Sequence, residues 1–171
     1  MSKKTLRKYL SEMPKEGLEE QVLELFDRLK EVRDFYNFVF NPKEDKMLEE
    51  AKFKISKEYF PPGRRKAKKR RSVAQKFIKE FIKLGVAPEK IADIMVYNIE
   101  VAQTYNADRP IKQDMFYRSM LKSYKEAIPF IDENGLQSQF DHRLERIVEV
   151  AIEQAWINRH AFDEVLLSRV K

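Results

Sequence analysis

Apolar residues recur at helical spacing along most of this chain, and Pro or Gly interrupts the pattern at intervals. Between Lys15 and Phe40 the residues Leu18, Val22, Leu25, Leu29, Val32, Tyr36 and Val39 step alternately by four and three. That spacing predicts one helix of about seven turns. A 3.5-residue seam also suits a coiled coil. However, Leu23, Phe26, Phe35 and Phe38 widen the apolar face, which favours docking within one chain over a coiled-coil dimer. A short helix over residues 3–12, with Leu6, Tyr9 and Leu10 on one side, precedes it and stops at Pro14.

Asn41-Pro42 ends the long seam, and a further helix runs from about Lys43 to Tyr59, carrying Met47, Leu48, Ala51, Phe53 and Ile55. Pro61-Pro62-Gly63 is a firm break. The row Val73, Phe77, Phe81 and Leu84 predicts a helix capped by Gly85. Pro88 opens a helix to about Asn106 that has almost no polar side, so it is expected to be the most buried. Another is expected from Pro110, carrying Phe116, Met120, Leu121, Tyr124 and Ile128, to a break at Pro129. Asp132-Glu133-Asn134-Gly135 reads as a turn. A long helix over about Ser138–Asn158 follows, then a short one with Phe162, Val165, Leu166 and Val170. No strand or Ser/Gly linker is evident. The expectation is one all-α domain over residues 1–171, an irregular helical bundle of about seven helices. The alternative is a short α-solenoid of stacked helix pairs. No fixed repeat period supports the second, although Leu84-Gly85-Val86-Ala87-Pro88 resembles the turns of repeat proteins.

Composition narrows the classes. A chain of 171 residues can bury a sizeable core. With no Cys, a disulfide scaffold, a thiolate metal site and a Cys nucleophile are excluded. The start, MSKKTLRKYLSEM, has no apolar stretch of signal-peptide length, and nothing approaches 18 consecutive apolar residues. The expected setting is the cytoplasm, with no membrane partner. The segments KKTLRKYLSEMPKEGLEEQVLELFDR and FVFNPKEDKMLEEAK, ahead of YFPP, resemble a family of uncharacterised bacterial proteins defined as a domain of unknown function. The resemblance covers the opening sixty residues. It implies a bacterial, cytoplasmic, helical protein and brings no site residues with it.

Charge singles out one stretch. In Arg64-Arg65-Lys66-Ala67-Lys68-Lys69-Arg70-Arg71, seven of eight residues are cationic. The chain holds 34 Lys and Arg against 28 Asp and Glu, and without this run 27 basic residues remain. The net charge of +6 is therefore local to the run. Cations at a helix start oppose its dipole by roughly 0.3–1 kcal/mol each, so the run does not look placed for stability. Three readings compete: a solvated loop without partner, a polyanion-binding segment, and an element paired with acidic protein surface. The favoured one is contact with RNA or DNA phosphates. Lys76, Lys79 and Lys83 continue the run along a helix opposite Phe77, Phe81 and Leu84, as an electrostatic footprint would. No base-reading motif accompanies it, so binding is expected to be backbone-directed. For acid pairing, the row Asp141, Glu145, Glu149 and Glu153 is the candidate, within the chain or across a homo-oligomer.

Catalytic signals are sparse. His142 and Glu145 share a helix face and, with Glu149, are the nearest approach to a metal set; no second His or Cys completes it, and surface residues are the simpler expectation. Arg159-His160 reads as a helix C-terminus complementing the dipole. Asp108 is expected to cap the helix begun at Pro110, and Arg109 to bond a neighbour. Tyr59, Phe60 and Trp156 are expected to serve the core. No phosphate loop or nucleophile elbow appears. The expectation is a non-enzymatic binding or adaptor protein without cofactor or metal. The alternative is a helical protein-interaction or oligomerisation module.

Overall fold

The computed structural model describes residues 2–170. Among them are nine α-helices: α1 Lys3–Ser11, α2 Lys15–Arg28, α3 Lys30–Phe40, α4 Glu44–Tyr59, α5 Arg71–Leu84, α6 Pro88–Asp108, α7 Asp114–Glu133, α8 Gln137–Glu153 and α9 Arg159–Leu167. A 3-10 turn, Ser168–Val170, follows α9; the Val170 side chain lies outside the described set. No helix is long and apolar enough to cross a membrane among the described residues. The all-α class holds, with nine helices rather than about seven. The chain forms two compact units, Met1–Lys43 and Glu44–Lys171.

In the first unit, Ser2 caps α1 by accepting from the Thr5 N–H at 3.2 Å. The predicted long helix is broken at Leu29, whose φ of −114° and ψ of 115° are extended. A straight helix would hold Phe26 and Tyr36 about 15 Å apart along its axis. Instead their ring centroids are 6.5 Å apart, because α3 folds back onto α2. Val22, Leu23 and Phe26 thereby face Tyr36 and Phe40 across a groove of about 340 Å³. The 4-3 seam is shared between two helices that meet, which is why its period runs on through the break. None of the helical residues of this unit is buried.

The second unit is built around α6. Its Ile94, Val96, Ile99 and Ala102 are wholly enclosed, and it packs against α4, α5, α7 and α8. Its buried polar side chains have partners: Gln103 donates to the Ile147 carbonyl at 2.7 Å, and Asn106 donates to Gln154 at 2.8 Å. Successive helices pair as α4 with α5, α6 with α7 and α8 with α9, while α6 also touches α4 and α8, and α9 touches α7. Gly85, at φ 77°, ends α5 in the left-handed conformation expected of it.

Three boundaries differ from the periodicity. Helix α7 begins at Asp114, not Pro110, because Ile111 is tucked inward. The Ile111 N–H donates to Asn106 at 2.9 Å, and the Tyr117 hydroxyl donates to the Ile111 carbonyl at 2.5 Å. Pro129 does not break α7, which continues to Glu133. Pro129 and Lys125 are exposed, so the carbonyl left without its donor lies on the solvent side. Helix α8 ends at Glu153 because Ala155, at φ 51°, turns the chain, and the Trp156 N–H returns to the Ala151 carbonyl at 2.9 Å. The Trp156 ring then fills the core against Phe116, Tyr117 and Phe162.

Candidate polyanion interface

The basic run lies on the connection from α4 to α5. After Tyr59, Pro61, Pro62 and Gly63 turn the chain away, Gly63 at φ 68°. Residues 65–70 are irregular, and α5 starts only at Arg71. The far end of the loop is pinned back to α4. The Lys69 N–H donates to the Glu58 carbonyl at 2.9 Å, and the Arg70 guanidinium donates twice to the Glu58 carboxylate, each at 2.8 Å. These hydrogen bonds from Arg70 hold the Glu58 carboxyl below its ordinary range. Arg71 reaches α7, donating to Ser123 Oγ at 2.7 Å and pairing with Glu126. Gln75 adds a 3.2 Å bond to the same carboxylate, and the buried Asn98 donates to Ser123.

The seven cations thus divide. Arg70 and Arg71 clasp the loop to α4 and α7, so two cations of a run that did not look placed for stability are tied into the fold. Lys69 holds its ammonium 5.6 Å from the Tyr105 ring centroid, and Arg109 lies 5.8 Å from the same ring. Arg64, Arg65, Lys66 and Lys68 are exposed, and no ion pair to them occurs among the described residues. Lys76, Lys79 and Lys83 are exposed along α5. Lys76 borders a shallow cleft with Lys54, Glu50 and Glu80, so this strip is partly neutralised.

Beside the loop lies a cleft of about 450 Å³ lined by Lys68, Lys69, Arg71, Gln113, Met115, Phe116 and Ser119. The sequence offers no signal for it, because its two sides are more than forty residues apart. Tyr59 is enclosed, and among the described residues its hydroxyl has no partner; burial pushes that hydroxyl well above the phenol range. Phe60 packs edge-on against Tyr105, with centroids 5.7 Å apart. Tyr59 and Trp156 serve the core as expected.

Several expected pairings lie elsewhere. The acidic row of α8 does not meet the basic run: Asp141 pairs with Arg169 at 2.6 Å, and Glu149 and Glu153 pair with Arg146 at 2.9 and 3.0 Å. Glu58 and Glu126 are the acids that engage the run. His142 and Glu145 are exposed, and no group of three His, Asp or Glu converges as a metal site among the described residues. Asp108 lies at the end of α6 and does not cap α7, whose cap position is Gln113. Arg159-His160 begins α9 instead of ending a helix, and Arg159 donates to the Trp156 carbonyl at 3.2 Å. Strong charge pairing also occurs on α6 and α8, where Arg143 is clamped by Asp93 at 2.8 Å and Glu100 at 2.7 Å.

A family model described as "Family of unknown function (DUF6155)" matches residues 1–169. No curated protein and no solved structure matches the chain.

Proposed function

The chain belongs to DUF6155, a family whose description assigns no activity, and from the site itself we propose that it binds a polyanion, the phosphate backbone of RNA or DNA. One observation carries this reading: Arg64, Arg65, Lys66 and Lys68 stand exposed, without an ion pair among the described residues, on a loop whose C-terminal end is fastened by Arg70 and Arg71. Such a loop presents cations without having to be ordered on binding, which lowers the entropic cost of association. In this reading the protein is a non-enzymatic binding or adaptor protein in a bacterial cytoplasm. The contact pattern of the second unit suits a short stack of helix pairs.

The test is a salt titration with short RNA and DNA oligonucleotides. Four phosphate contacts give a log–log slope near −3.6 on a duplex, roughly a 150-fold loss of affinity between 50 and 200 mM salt. Each of Lys76, Lys79 and Lys83 that also reaches a phosphate steepens the slope by about 0.9. Replacing Arg64, Arg65, Lys66 and Lys68 with Ser abolishes binding while the circular dichroism spectrum stays unchanged. Absence of binding at about 50 mM salt, or binding indifferent to the four substitutions, refutes the reading.

A second reading rests on the first unit. Leu23 is 63% exposed and Phe40 82%, on helices that bury none of their residues. We propose oligomerisation through this groove as the alternative role, with a second copy of the chain as occupant, since Leu23 and Phe40 lie outside the seam that joins α2 to α3 and a second copy brings an identical apolar groove to cover them. Light scattering of the wild type and of L23S/F40S decides it: a dimer that the two substitutions dissolve supports it, and a monomeric wild type at about 100 μM, well above a micromolar Kd, overturns it.

A further inference from the structure

We infer that the cleft beside the loop is a nucleotide subsite, taking one phosphate and its attached base from a single strand. The inference rests on the polyanion reading and specifies its ligand. The lining holds three cations and no carboxylate. That arrangement attracts a phosphate, with Glu126 on Arg71 and Glu58 near Lys68 as partial counter-charges outside the lining.

The backbone shapes the cleft for this. In an extended segment, neighbouring side chains point to opposite sides. Lys69 breaks that alternation with its φ of 54°, and the bonds of Lys69 and Arg70 to Glu58 hold the turn in place. Lys68 and Lys69 consequently line the same cleft. Across from them, Met115 is 72% exposed and offers an apolar, polarisable surface to a base. The Gln113 side chain does not cap α7 and is exposed, leaving its amide open to a base edge. A volume of about 450 Å³ falls within the range of roughly 300–1,000 Å³ typical of small-ligand sites. A paired and stacked duplex cannot place a base there, whereas a flexible single strand can splay one out.

The experiment compares fluorescein-labelled single-stranded and duplex eight-mers at fixed low salt, with uridine monophosphate and inorganic phosphate as competitors. The expected result is a single-strand preference of about two- to tenfold, the effect of one base packed on a thioether. Uridine monophosphate competes better than phosphate. The neutral variant Q113A/M115A removes the preference and leaves the duplex affinity unchanged, since no charge is lost. Gln113 and Met115 are exposed, so this variant folds; circular dichroism verifies it. Equal affinity for the two forms, or an undiminished single-strand preference in Q113A/M115A, overturns the subsite. If both forms bind equally and both are lost on neutralising Arg64, Arg65, Lys66 and Lys68, the subsite falls and the polyanion reading stands. If neither form binds, both fall.

Discussion

Replacing Arg71 with Met separates cations that fasten the loop from cations free to bind. Arg71 donates to Ser123 Oγ at 2.7 Å and pairs with Glu126, at side-chain exposures of 18% and 35%. Methionine keeps much of the aliphatic length and removes both interactions. Ser123 is buried and retains Asn98 as a donor at 3.2 Å, and Glu126 retains Gln75 at 3.2 Å. Neither is stranded outright, and Glu126 is exposed enough to regain water. A hydrogen bond to a charged group contributes about 1.5–3 kcal/mol, so with this partial compensation the net loss is about 2 kcal/mol. For a chain of this size that lowers Tm by about 4–8 °C. The assay is thermal and urea unfolding of R71M beside R65M and K66M, which have no ion pair and are expected to stay within about 0.5 kcal/mol of the wild type. Equal stability of R71M and R65M would refute the division of the run into structural and free cations.

Three further outcomes follow. Glu58 has a folded-state pKa depressed below the ordinary 4.5 by Arg70; its contribution is therefore complete above about 4.5 and lost as pH falls through the depressed value. Amide chemical shifts of Lys69 and Arg70 report that acid transition, and E58Q abolishes it. Trp156 is 1% exposed and its indole N–H donates to Gln154 at 2.9 Å, so W156A costs about 3–5 kcal/mol in urea unfolding followed by circular dichroism. Gly85 sits at φ 77°, and a Cβ added there would meet no atom within 4 Å, so G85A is destabilised by backbone strain alone, about 1–2 kcal/mol by thermal unfolding.

Sequence by itself determined the helical class, most helix limits and the enclosure of α6, because apolar periodicity, Pro and Gly act within a few residues. Gly85 as a cap, Pro88 as a start and the break after Tyr59 were legible for that reason. It also singled out residues 64–71, since a run of charge needs no fold to be seen. Tertiary structure decided what each of those charges does. Glu58 is twelve residues from Arg70, while Ser123 and Glu126 are 52 and 55 residues from Arg71, and no local pattern links them. The same limit explains the misplaced boundaries. Leu29 opens because Phe26 and Tyr36 gain a contact no straight helix allows, Ile111 delays α7 because Asn106 and Tyr117 hold it, and Ala155 ends α8 so that Trp156 can enter the core. Each is a case of a specific packing or hydrogen-bond contact outweighing a local preference of about 1 kcal/mol or less per residue.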